Sequence, residues 1–222
     1  LAAARAIVGE ERLRSGGMVQ AHGTGTPQNR VTESEIMSQT ARAFGIDSWP
    51  VAALKCYLGH SLGSASGDQV NATLGTWASG LIPGITTIDD RADDVRQDNL
   101  AFSTRHREID PEQQAYAVIN SKGFGGNNAS ATLLSPAVTN QMLQSRYSAK
   151  EWQAWERANE AVLAQQQCYD DDMIAGTRAP VYNFDHGVLA DSDVALNEHE
   201  MRVGEHRISL ALSSPYEDMK LR

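Results

Sequence analysis

The sequence predicts an α/β fold with a mixed sheet, continued from residue 137 by an α+β extension. Three observations carry that prediction. Strand-length apolar runs alternate with helical patterns and are then followed by strands in a row. Three times, a polar or glycine-rich turn directly follows an apolar run: Ala21-His22-Gly23-Thr24-Gly25-Thr26-Pro27, Lys55-Cys56-Tyr57-Leu58-Gly59-His60 and Gly123-Phe124-Gly125-Gly126-Asn127. Finally, the composition changes after Ser135-Pro136.

Alanines with Ile7 and Val8, backed by charges, predict a helix over residues 2–14, closed by Ser15-Gly16-Gly17. Met18 to Ala21 is a short strand that stops at His22. Thr32 and Glu35 have capping-box spacing, and Ile36, Met37, Thr40, Ala41 and Phe44 recur at helical intervals up to Gly45. A second strand, Pro50 to Leu54, ends at Lys55. A helix then follows Gly59-His60-Ser61 to about Gly80, with Val70, Leu74 and Trp77 on one face. Its many small residues (Gly63, Ala65, Gly67, Ala72, Gly75, Ala78) predict tight burial. Ile85–Ile88, Leu100–Phe102, Tyr116–Asn120 and Ala129–Leu134 read as strands, and residues 89–98 as an exposed polar loop. Beyond Pro136, Ser148 with Glu151 forms another capping box. Trp152, Trp155 and Val162 share one side of a helix to about Gln167, ended by Asp170-Asp171-Asp172. The remainder, with apolar runs at 181–184 and 208–212, reads as an extension that wraps the first domain. The expected division is therefore residues 1–136 and 137–222.

The bulk properties exclude several classes. The 222 residues are 41% hydrophobic and 21% charged, enough for a packed core. A net charge of −9 argues against a basic nucleic-acid-binding face. Two cysteines, Cys56 and Cys168, are not a disulfide framework and fit a reducing compartment such as the cytoplasm. No apolar stretch reaches the roughly 20 residues of a membrane span. The start, Leu1-Ala2-Ala3-Ala4-Arg5, does not read as a signal peptide; without Met it reads as a processed chain, a fragment, or one whose first residues are left out. The clusters Asp89-Asp90, Asp93-Asp94, Asp170 to Asp172 and Asp191-Ser192-Asp193 lack calcium-loop spacing, and His186, His199 and His206 lack zinc-ligand spacing, so no metal is expected.

The candidate chemistry lies in the three turns. Loops after sheet strands are the usual place for α/β active sites, and His22 opens one. His60 opens a helix, where the dipole favours a neutral imidazole. Neutral imidazoles can donate N–H bonds to a carbonyl oxygen that gains negative charge. Lys55 ends an apolar run beside them, and Glu33 can pair with it. The turn at Phe124-Gly125-Gly126 can present backbone N–H groups to an oxyanion. Taken singly, each feature also has a structural explanation: a capping or packing histidine, a surface lysine, a bulge, and for Cys56 a small buried thiol.

Together, the three stretches resemble the C-terminal half of the β-ketoacyl-ACP synthases, the condensing enzymes of fatty-acid and polyketide synthesis. The likeness runs from about Met18 to Pro136. It rests on His-Gly-Thr-Gly-Thr-Pro with Glu33 downstream, on Lys55 and Gly59-His60 at family spacing, and on Asn120-Ser121 leading into Gly-Phe-Gly-Gly-x-Asn-Ala. It implies a thiolase-like fold of two similar halves with their sheets face to face, of which this chain would be the second. His22 and His60 would bind the malonyl thioester carbonyl and support decarboxylation. Lys55 would be the family's active-site lysine, bonded to Glu33. Thr24 and Thr26 would contact a pantetheine arm, with Gly125 and Gly126 beside it. Phe124 would be a gating residue whose backbone N–H is half of a second oxyanion hole. His60 rather than Asn points to the Cys-His-His synthases, and the absence of Cys-x-Gly in the final turn argues against thiolases proper.

The family's nucleophilic cysteine would lie in the first half; neither Cys56 nor Cys168 matches it. Departures from the pattern are Arg30 for a frequent Asp, Gln69 for a frequent buried Glu, and Ser66 for a usual Gly. The extension is similar to that of long-form bacterial synthases, including those that start chains from acetyl-CoA. The resemblance implies no cofactor beyond the pantetheine arm of acyl carrier protein or CoA. It implies as partners that carrier, malonyl and acyl thioesters, the N-terminal half and a second copy, and neither nucleic acid nor membrane. The alternatives are a non-catalytic partner subunit of chain-length-factor type, a polyketide ketosynthase, or a stand-alone binding domain.

Overall fold

The computed structural model describes residues 1–179, 181 and 185–211. They form two compact units, 1–154 and 155–222. The first holds the three turns and is built as follows. Helix α1 (Ala2–Ser15) bends at Gly9, whose φ is 80°, and Gly16 closes it by donating to Arg12 O. Strand β1 (Gly17–Gln20) is followed by α2 (Pro27–Ala43). Next come β2 (Trp49–Ala52), the single turn α3 (Lys55–Leu58), and α4 (Ala65–Ser79). Then β3 (Leu81–Ile82), β4 (Leu100–Phe102), β5 (Arg107–Glu108), β6 (Tyr116–Gly123), β7 (Asn127–Leu134) and α5 (Pro136–Arg146) follow in order.

Five strands form one sheet in the order β4-β2-β1-β6-β7. β1 is parallel to β2 and to β6, β2 is parallel to β4, and β7 closes the sheet antiparallel to β6. The central strands are buried on both faces, as parallel strands require. On one face Leu13, Val19, Ala41, Ile46, Trp49, Val51, Tyr116 and Val138 form the larger core. On the other Met18, Ala52, Trp77, Ile82 and Ala117 pack together. Strand alternation separates the two sets: Met18 from Val19, Val51 from Ala52, Tyr116 from Ala117.

The second unit comprises the part of α6 (Ala149–Ala175) from Trp155 onward and an antiparallel sheet of β8 (Val194–Leu196), β9 (Glu200–Val203) and β10 (His206–Ser209). The capping box forms: the Ser148 N–H and hydroxyl both donate to Glu151, at 2.9 and 2.7 Å.

Several local expectations are corrected. α2 begins at Pro27, not after Thr32, because proline at the first helical position is preset for the helix; Thr32 instead donates to Gln28 O. Ile36 and Leu74 are 60% and 49% exposed rather than core. The sheet-facing side of α4 is Ala65, Gln69, Thr73, Thr76 and Trp77, and added Cβ atoms at Gly63, Gly67 and Gly75 would meet open space. The expected strand at Ile85–Ile88 is a turn. Pro83-Gly84 breaks the chain there, and β3 pairs with β5 before it. α6 passes its aspartates to reach Ala175, where Gly176 takes φ 68°. The helix α5 after Pro136 lies in the first unit. Of the two late apolar runs, residues 182–184 and 212 lie outside the described residues.

Candidate active site

The site is assembled where β1, β2 and β6 end. The β1 strand delivers His22, 5% exposed, two residues beyond the last strand position, Gln20. The loop that follows turns through Gly23 and Gly25, both at positive φ, which glycine adopts without steric cost. Past β2, the turn of α3 presents Lys55 and ends at Gly59, and His60 follows. The two imidazoles lie edge to face, with centroids 5.1 Å apart.

Hydrogen bonds set the tautomer of each ring. The backbone N–H of Lys122, on β6, donates to His22 Nδ1 at 3.2 Å. The backbone N–H of Leu62 donates to His60 Nδ1 at 3.0 Å. An Nδ1 that accepts leaves the ring proton on Nε2, so both neutral rings offer an Nε2–H donor. Burial is the first cause that lowers the His22 pKa from its ordinary 6.5. The Lys55 charge adds to it, Glu33 opposes it, and His60 and Lys122 lower it further. The tight backbone at Ser61, φ −77° and ψ 13°, turns the Leu62 N–H back towards His60, and Leu62 itself adopts φ 59°, unusual for a bulky residue.

Glu33 departs from expectation. Its carboxylate does not bond Lys55. Oε1 accepts from the His22 N–H at 2.7 Å and the Asn120 amide at 2.5 Å. Oε2 accepts from the Gly23 N–H and the Asn29 amide, both at 3.0 Å. A buried carboxylate needs such donors, and here the backbone supplies two of the four. Lys55 instead donates to the His22 carbonyl at 2.7 Å and comes within 3.5 Å of Nδ1. Burial lowers its pKa, and the charges of Glu33 and Asp68 pull the other way.

The remaining candidate residues lie on two loops. Thr24 and Thr26 bring their hydroxyls to 3.4 Å on the loop after His22. Phe124, Gly125 and Gly126 form the tip of the β6–β7 hairpin. Phe124 is 93% exposed and both glycines take φ near 80° (80° and 81°). Lys122, two residues before that tip, ties the hairpin to His22. Cys56 and Cys168 are free thiols, and burial raises the Cys56 pKa. That is the opposite of activation. Sequence reasoning missed the bonding roles of Lys122, Leu62, Asn29 and Asn120. Of these only Asn120, a polar residue inside an apolar strand, gave a signal.

Residues 10–89 match the model of the β-ketoacyl synthase C-terminal domain. The chain is 43% identical over 203 residues to the β-ketoacyl-[acyl-carrier-protein] synthase FabY of Pseudomonas aeruginosa, a match covering 91% of the chain and 32% of that relative. This chain carries the C-terminal domain of a β-ketoacyl synthase. The crystal structure of the noncanonical ketosynthase FabY from P. aeruginosa superposes with a TM-score of 0.78 at 40% identity, covering 99% of this chain and 34% of the other. The 3-oxoacyl-[acyl-carrier-protein] synthase 2 of Vibrio harveyi is 32% identical over 114 residues, covering 51% of the chain and 26% of that relative. The chain therefore spans about a third or less of these synthases. The thiolase-like α/β fold expected from the sequence is the fold found. The region after Pro136 has its counterpart in the FabY structure. No helix among the described residues is long and apolar enough to cross a membrane.

Proposed function

We propose that the protein to which this chain belongs is a β-ketoacyl-ACP synthase that performs decarboxylative Claisen condensation in fatty-acid biosynthesis. The observation that carries this reading is the paired tautomer: each imidazole has Nδ1 filled by a backbone N–H, and so turns a donor outward at Nε2. The names of the P. aeruginosa and V. harveyi relatives support it.

The malonyl thioester carbonyl accepts from the Nε2–H groups of His22 and His60. The bond to the carboxylate breaks and CO2 leaves. The electron pair forms an enolate whose oxygen the two donors stabilise. The enolate carbon then attacks the acyl thioester on a cysteine outside this chain. A new carbon–carbon bond forms and the cysteine sulfur leaves as thiolate. The backbone N–H of Phe124 serves the oxyanion of that second step. Thr24 and Thr26, with the backbone at Gly125 and Gly126, hold the pantetheine arm of acyl carrier protein or CoA, the one carrier group involved. Lys55 keeps His22 neutral and holds its carbonyl.

The assembly implied is an N-terminal half and a second copy, in the cytoplasm, where free thiols such as Cys56 and Cys168 persist. The match across the extension favours the long-form subgroup. The test is CO2 release from malonyl-ACP by the full-length protein with His22→Ala or His60→Ala. Loss of a donor to the enolate oxygen is expected to cost on the order of 100-fold in rate. Unchanged decarboxylation in either variant overturns the mechanism.

A further inference from the structure

Three backbone carbonyls converge on one side chain. Gln69, on α4, is 1% exposed. Its amide nitrogen donates to Ala21 O at 2.8 Å, Gln20 O at 3.1 Å and Asn120 O at 3.2 Å. Two amide hydrogens serve three acceptors, so at least one is shared. The Gln69 Oε1 is buried without a hydrogen-bond partner. Turning the amide over would set that oxygen against three carbonyl oxygens, so the surroundings fix its orientation.

The position of this contact gives it meaning. Pairing between β1 and β6 ends at Gln20 with Ile119. One residue further stand Ala21 and Asn120, whose carbonyls Gln69 holds. The residue after Ala21 is His22. Two residues past Asn120 on β6 is Lys122, whose N–H bonds His22 Nδ1. Asn120 also donates to Glu33, and Glu33 accepts from the His22 N–H.

We propose that Gln69 is a positioning residue for the histidine site. Its amide carries the β1–β6 alignment one step past the end of the ladder. That keeps the Lys122 N–H on His22 Nδ1, and so keeps the proton on Nε2. Any buried side chain of similar size would fill the space; only a donor holds three carbonyls. The proposal rests on the functional reading above in taking Nε2–H of His22 as the working donor.

Two variants of the full-length enzyme test it. Gln69→Met keeps the length and removes the donor. Gln69→Glu keeps the shape and donates only when protonated. The titratable groups of the adjoining histidine site are His22 after β1, Glu33 on α2, Lys55 on α3, His60 and Lys122 on β6, with Asp68 next to Gln69 on α4. With Gln69→Met, kcat for malonyl-ACP decarboxylation is expected to fall roughly 10-fold with KM held within about 2-fold, the cost of a slightly misplaced group. The 15N resonance of His22 Nδ1, identified by its loss in His22→Ala, is expected to leave the unprotonated position. With Gln69→Glu, activity rises as pH falls, a trend that wild type, which needs His22 neutral, does not share.

Wild-type kcat with an unmoved Nδ1 resonance in Gln69→Met overturns the proposal. So does a Gln69→Glu pH profile that follows wild type. Failure of both variants to fold also overturns it, in favour of a purely structural role. If the wild-type protein releases no CO2 from malonyl-ACP, the functional reading fails, and the Nδ1 resonance still decides what Gln69 does.

Discussion

Glu33 directs its charge at the backbone, and this explains how one residue can hold a loop that begins with a histidine. In Glu33→Gln the new amide nitrogen would face two of the four donors that now reach the carboxylate. Leaving such buried donors unsatisfied costs about 1–3 kcal/mol each, so the urea midpoint of the full-length variant should fall clearly. An unchanged midpoint would contradict the assignment. The lowered pKa of His22 makes a separate prediction. Above pH 6.5 this imidazole is neutral in both folded and unfolded chains and adds no pH dependence. As pH falls through 6.5, the unfolded chain takes up its proton first, so stability is lost progressively towards the lower folded pKa. The folded ring stays neutral through the same range. As far as His22 governs the rate, malonyl decarboxylation should hold down to pH 6.5 and fall only below it, as a pH–rate profile would record. Glu33 and the histidines were legible as residues, since the spacing of the motifs named them. Their partners were not, because a backbone N–H belongs to every residue and only the folded path shows which one is aimed at Nδ1.

At the scale of elements, close approach decides what the sequence can place. Gly17 opens β1 because a Cβ there would stand 2.1 Å from the Tyr116 ring, whose hydroxyl donates to Leu13 O at 2.9 Å. Gly17→Ala is expected to destabilise the protein by about 1–3 kcal/mol through overpacking, measured as a lowered thermal midpoint. Ser148→Ala should remove a helix cap worth about 1 kcal/mol and leave malonyl decarboxylation unchanged, which separates α6 stability from the site. Strands β1, β2, β4, β6 and β7 were legible from their apolar runs and turn residues. The early start of α2 was missed because Pro27 outweighs a capping box one turn later. α3 was missed because a single helical turn has no periodicity to read.

For the whole molecule, the notable feature is which apolar groups face outward. Leu58, Leu62 and Phe124 are 62%, 68% and 93% exposed, and Leu74 on α4 is 49% exposed beside glycines where an added Cβ would meet open space. A surface of this kind favours association. Expressed by itself, this chain should bind a hydrophobic dye and self-associate in sedimentation, and co-expression with the rest of the enzyme should suppress both. A monomer that leaves the dye dark would argue for the stand-alone domain instead.

The sequence by itself determined the fold class, the turns that carry His22, Lys55 and Phe124, and the likeness to the C-terminal domain of the β-ketoacyl synthases. Apolar periodicity and motif order are local properties of a chain, and they survive without coordinates. Only the tertiary structure decided that Glu33 serves the backbone rather than Lys55, that both histidines offer Nε2–H, and that Gln69 joins two strand ends. Except for the Leu62 N–H on His60, two positions away, those are contacts between residues 10 to 100 positions apart, fixed by the geometry of a sheet and its neighbouring helices.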